Sequence, residues 1–148
     1  PENIAAAALH AEAGGLGIRY MAGELGALDL GRFDLVTCLE VIEHVADKGA
    51  FVHQLAESLA DDGLLILSTP NRTAKSRLLM VTAAETAGLI PRGTHDWDDF
   101  IAPDDLEQLL AAAGLQMGEP RGIAFSPTKG LHLSSDLALN YIVTARRT

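Results

Sequence analysis

Between Gly31 and Asn71 the chain sets two apolar runs on either side of a helical pattern, and this arrangement restricts the fold more than any other feature. Phe33-Asp34-Leu35-Val36-Thr37-Cys38-Leu39 is apolar on both faces of a two-residue period, as a central strand covered on both sides would be. Asp47 is placed to cap a helix in which Phe51, Leu55 and Leu59 recur every four residues. Asp62-Gly63 then turns the chain, and Leu64-Leu65-Ile66-Leu67 reads as a second buried strand. Strand, helix and strand at this spacing make a βαβ unit, which is normally parallel and right-handed. The expected class is therefore α/β with a mainly parallel sheet. Ligands of such sheets bind beyond the carboxyl ends of the strands. Two segments lie there, Leu39 to His44 and Ser68 to Asn71.

The flanks extend this pattern. Pro1 suits the first turn of a helix that Gly14-Gly15 closes, and Ile18-Arg19-Tyr20-Met21 reads as a short strand. Ala83 to Leu89 belongs to a further helix, starting near Ser76. Pro103 opens a clear helix with Asp104 and Asp105 in its first turn, Leu106, Leu109, Leu110 and Ala113 on its inner face, and Gly114 at its end. Leu115 to Thr148 reads as strands and loops, closing with a strand over Asn140 to Ala145. The 148 residues suffice for one domain with a real core, and no repeat or interdomain linker is visible. A net charge of −9 makes a poor general binder of nucleic acid, whose phosphates need Lys and Arg. The lone Cys38 excludes an internal disulfide framework and a cysteine-based zinc site. No apolar run approaches the roughly 18 to 20 residues of a membrane span.

Chemistry-bearing residues gather just past the first strand. On a helical turn, Glu40, Glu43 and His44 share one face. Two carboxylates and an imidazole suit Mg²⁺, Mn²⁺ or Ca²⁺ better than a thiol-seeking metal. The residues alone equally allow Glu40 to touch a cofactor or cap a backbone, with Glu43 and His44 as a surface pair.

Phe33 to Val45 resembles the fourth strand and following turn of class I S-adenosylmethionine-dependent methyltransferases, and Gly63 to Arg72 resembles their fifth strand. More specifically, Asn71-Arg72-Thr73-Ala74-Lys75-Ser76, then Ile90-Pro91-Arg92-Gly93-Thr94-His95-Asp96-Trp97, then Leu139-Asn140-Tyr141 resemble the ubiquinone-biosynthesis O-methyltransferase family. The resemblance runs along nearly the whole chain. It implies a Rossmann-like sheet, mainly parallel with a C-terminal antiparallel strand and lacking its N-terminal strands. Residues 1–148 would then be the C-terminal major part of one methyltransferase domain, with a lid or membrane-facing insertion at about 72–100. The family's glycine-rich loop and ribose-binding acid would lie before Pro1.

The resemblance further implies S-adenosylmethionine as methyl donor, with Leu39, Cys38, Glu24 and Leu25 as its contacts. It places a divalent metal, Mg²⁺ by its oxygen donors, on Glu40, Glu43 and His44, and makes His95 a candidate catalytic residue toward the substrate. The implied substrate is a polyprenyl phenol or quinol, methylated on a phenolic oxygen. Residues 71–93 carry net +3 and residues 94–119 net −7. With Leu78, Leu79, Met80 and Val81 inside the basic stretch, 72–92 is the segment expected on an anionic membrane surface. The resemblance thus implies a cytoplasmic protein peripheral to the inner face of the membrane, within a ubiquinone-biosynthesis complex. The alternatives are another small-molecule methyltransferase or a non-catalytic lipid-binding module. A Rossmann dehydrogenase is disfavoured, because neither Tyr20 nor Tyr141 lies in a Tyr-x-x-x-Lys string.

Overall fold

A computed structural model describes residues 2–78 and 97–148, which divide into two compact units, Pro1–Leu30 and Gly31–Thr148. In the first unit, helix α1 (Glu2–Ala13) forms from an alanine-rich stretch of high helix propensity. Gly15 stops it at φ +65°, its N–H donating to the Glu12 carbonyl while Leu16 N–H reaches back to the Ala11 carbonyl. This pair of bonds satisfies carbonyls that a helix end otherwise leaves bare. The strand expected over Ile18–Met21 does not form. A strand needs a ladder partner, and this unit contains no other strand among the described residues.

The second unit contains strand β1 (Phe33–Leu39), helix α2 (Lys48–Glu57), strand β2 (Leu59–Pro70), helix α3 (Pro103–Ala112) and strands β3 (Leu115–Met117), β4 (Arg121–Ser126), β5 (Gly130–Ser134) and β6 (Asn140–Arg147). They form one sheet in the order β1-β2-β6-β4-β5, with β3 on β6 beside β4. The α/β class holds. The balance within the sheet differs from expectation: β1–β2 is the one parallel pair among the described residues, and every pairing made by β3 to β6 is antiparallel.

Asp47 caps α2 as its position predicts, accepting from Ala50 N–H at 2.9 Å. The far end of α2 is closed by Arg147, whose guanidinium donates to the Ala56 and Leu59 carbonyls. The buried side of α2 is Val52, Leu55 and Ala56, while Leu59 already belongs to β2. Asp62-Gly63 is not a turn. Strand β2 runs through it, and the register jumps from Phe33↔Leu59 to Leu35↔Leu64. The bulge is possible because Gly63 has no side chain: a Cβ there would sit 2.9 Å from the Phe33 carbonyl oxygen. Helix α3 begins with Pro103 as read, buries Leu106 and Leu110, and ends at Gly114 with φ +74°. The helix expected over Ala83–Leu89 lies outside the described residues. Ser76, its expected start, ends a short helical turn, Ala74–Ser76.

Register separates the two faces of the sheet. Cys38, Leu65, Leu67, Thr69, Tyr141, Val143 and Ala145 alternate onto one face and are buried. Leu35, Leu64, Ile66 and Ile142 alternate onto the other, where Leu35 is 55% exposed. Strand β1 was expected to be covered on both sides. Among the described residues it pairs with β2 alone, and Phe33, Leu35 and Leu39 are exposed.

Candidate functional site

The two segments expected beyond the parallel strands do meet. Leu39 is in register with Ser68, and beyond it two residues of each segment, Glu40 and Glu43 on one side and Ser68 and Thr69 on the other, are bonded together. Glu40 N–H donates to the Ser68 carbonyl at 3.0 Å, and Ser68 Oγ donates back to Glu40 Oε1 at 2.6 Å. Thr69 Oγ1 donates to Glu43 Oε2 at 3.1 Å. Ser68, Thr69 and Glu43 are all buried, at 2%, 0% and 3% exposure.

The turn that carries the acids is tighter than an α-helix. Ile42–His44 is a 3₁₀ turn, and Glu40 lies outside it with φ +53°. It is the one described non-glycine residue with positive φ. A left-handed backbone costs an L-residue roughly 1–2 kcal/mol, and the two bonds to Ser68 hold it there. The expectation that Glu40, Glu43 and His44 share one helical face therefore fails. Glu43 turns inward to Thr69, while Glu40 and His44 are exposed. His44 Nε2 lies 3.9 Å from Glu43 Oε1. Among the described residues no group of three His, Cys, Asp or Glu side chains is gathered to hold a metal ion. As placed, Glu40, Glu43 and His44 do not fit one.

Electrostatics follow from this packing. Partial burial of the Glu40 carboxyl, which penalises its charged form, raises its pKa above the ordinary glutamate value. The Ser68 hydrogen bond opposes the rise, the Glu43 charge adds to it, and His44 opposes it. Cys38 is pushed up to about 11, first by burial and then by Glu43. Tyr141 is raised by burial, with Asp105 and Glu43 adding to the effect. Its hydroxyl donates to the Ile101 carbonyl at 3.1 Å, a bond inside the core.

The remaining expected residues separate clearly. Leu39 is 52% exposed at the strand end, while Cys38 is buried on the covered face. Glu24 and Leu25 lie in the first unit, where Leu25–Ala27 is a 3₁₀ turn preceded by an exposed Glu24. His95, with most of 72–92, lies outside the described residues. Of the basic segment, Arg72 pairs with Asp105 and Lys75 with Asp136 at 3.2 Å, and Arg77 sits 5.2 Å over the Trp97 ring. Ser68 and Thr69 lie in the segment expected beyond the second strand, but neither was expected to hold an acid of the first. The available signal was their position beside the acids in a parallel ladder, which places their hydroxyls within reach.

Residues 5–119 match the family model described as a methyltransferase domain. The chain belongs to this methyltransferase family. Over 150 residues the methyltransferase chain is 42% identical to the ubiquinone biosynthesis O-methyltransferase of Azorhizobium caulinodans, covering 99% of this chain and 59% of that protein. It is 43% identical over 148 residues to the ubiquinone biosynthesis O-methyltransferase of Bradyrhizobium sp., covering 98% and 58%. The chain thus spans about three-fifths of the length of the curated relatives it matches. Among solved structures it is similar to magnesium protoporphyrin IX methyltransferase from Synechocystis PCC 6803 with bound SAH. That match has 21% identity and a TM-score of 0.65, over 98% of this chain and 59% of that one. It is also similar to the mitomycin 7-O-methyltransferase, at 17% identity and a TM-score of 0.68, over 100% of this chain and 40% of that one. At these identities the structural likeness shows the fold, and the fold is the Rossmann-like methyltransferase sheet that the strand motifs led us to expect.

Proposed function

We propose that the protein transfers a methyl group from S-adenosylmethionine to a phenolic oxygen of a polyprenyl catechol or demethylubiquinol. The observation that carries the reading is identity of 42% and 43%, along almost the entire chain, to relatives named for O-methylation in ubiquinone biosynthesis. The strand-end geometry supports it. Leu39 offers an open apolar side chain at the carboxyl end of β1, suited to the adenosine or methionine part of the donor. When bound, the donor supplies an electrophilic methyl on a positive sulfur.

Transfer is an in-line displacement, so the protein's main contribution is to position the attacking oxygen. Glu40 is fixed for that task. Its Oε1 is held by Ser68, and no other described side chain hydrogen-bonds to its carboxyl. Its second oxygen is left to accept a hydrogen bond from a phenol and draw off proton density as the oxygen attacks. His95 keeps its proposed role toward the substrate.

The divalent ion is a finer proposal. A Mg²⁺ ion on Glu40, Glu43 and His44 requires the three side chains to reorient toward one point, since Glu43 faces inward to Thr69 as placed, and no step above is routed through it. Loss of activity on chelation, restored by Mg²⁺, supports it; activity unchanged by chelation removes it. Peripheral membrane association is likewise a proposal. It rests on the net +3 of 71–93, and no helix among the described residues is long and apolar enough to cross a membrane.

The test of the main reading is incubation of the native protein with methyl-labelled S-adenosylmethionine and a prenylated catechol. The expected product carries one labelled methyl on oxygen. Label on carbon or nitrogen, or no transfer, overturns it.

A further inference from the structure

We propose that Ser68 is a positioning residue for methyl transfer, acting only through Glu40. The inference rests on the reading of Glu40 given above and adds a residue that the sequence pattern did not single out. Three observations carry it. Glu40 holds a left-handed backbone, φ +53°, that a glycine would adopt without strain. Both bonds that stabilise this turn come from Ser68: its carbonyl accepts the Glu40 amide at 3.0 Å, and its hydroxyl donates to the Glu40 carboxylate at 2.6 Å. Ser68 is 2% exposed, so it reaches no substrate itself, whereas Glu40 is exposed at the carboxyl end of β1.

A strained residue persists where its surroundings over-determine it, and such residues cluster at functional sites. Strain at Glu40 has no evident packing reason, since its side chain is not part of the core. The arrangement is consistent with a carboxylate whose direction matters. With the hydroxyl removed, the carboxylate would sample other rotamers and the turn would relax, while the fold around it remains tied by β1–β2 pairing.

The experiment compares Ser68→Ala, Ser68→Thr and Glu40→Gln in the native protein. A hydrogen bond to a charged group predicts that Ser68→Ala lowers kcat by roughly tenfold to a hundredfold. The KM for the donor and the thermal midpoint should stay close to the parent values. Ser68→Thr keeps the hydroxyl and should restore most of kcat. In a Glu40→Gln background, Ser68→Ala should cost little more, because its partner is already altered. An independent readout is hydrogen exchange, in which Ser68→Ala should speed exchange of the Glu40 amide selectively.

Unchanged kcat in Ser68→Ala overturns the proposal, as does an equal further loss in the Glu40→Gln background. Loss of kcat only in proportion to lost folded protein also overturns it. Should Ser68→Thr fail to fold, the double-mutant comparison and the Glu40 amide decide the matter. A protein that methylates no phenol overturns the functional reading, and amide exchange at Glu40 then still reports whether Ser68 holds the turn.

Discussion

Thr69 and Glu43 form a buried pair whose partners cannot be replaced by water, so removing one leaves the other unsatisfied. Thr69→Val should therefore lower stability by about 1–3 kcal/mol in urea denaturation, and Thr69→Ser should recover much of it. Cys38 gives a second residue-level test. With its pKa near 11 rather than 9.0, the folded thiol stays protonated while the unfolded one ionises. Stability should thus fall as pH rises from about 9 to about 11, and a Cys38→Ala variant should show a flatter decline. At pH 8, thiol labelling of the folded protein should be far slower than labelling in urea. At this scale the sequence showed which acids lie at the strand end but not where they point. The Glu-x-x-Glu-His spacing implied a shared face only for an α-helical turn, and the 3₁₀ turn with Glu40 left-handed before it breaks that geometry. The Ser68 and Thr69 contacts depend on strand register, which residue spacing does not encode.

Among the elements, α2 and α3 were legible because capping is local: Asp47 and Pro103 start them as their chemistry requires. Asp47→Ala should cost about 1 kcal/mol, measured by urea denaturation. What spacing could not show was pairing. Ile18–Met21 has strand-like residues without a partner, and Asp62-Gly63 has turn-like residues inside a strand whose bulge absorbs them. Strand β4 depends on a close approach that its sequence barely marks. A Cβ on Gly122 would fall 1.8 Å from the Asp136 carbonyl oxygen, so the backbone itself must move to admit one. Gly122→Ala should destabilise by about 1–3 kcal/mol or more and should disturb the β4–β5 pairing. The same change at Gly15, where space is open but φ is +65°, carries only the left-handed backbone cost.

For the molecule as a whole, the α/β class and the place of the site followed from the βαβ pattern and the methyltransferase-like motifs. The antiparallel share of the sheet and the open face of β1 did not. Leu35 and Leu39 at one end of the sheet, and Phe125 and Leu131 at the other, are all more than half exposed. The 148-residue chain on its own should therefore bind a hydrophobic dye and associate with rising concentration. Leu131→Lys should weaken that association without lowering stability, as followed by sedimentation.

The site claim is that a phenolic oxygen is methylated where Glu40 is held at the end of β1. The most direct measurement is the rate of labelled methyl transfer to a prenylated catechol by the native protein and by its Glu40→Gln variant, side by side. Transfer to oxygen by the parent, with a loss of roughly a hundredfold in the variant, is the predicted result. Equal rates in the two proteins, or a parent that leaves the phenol unmethylated, would contradict it.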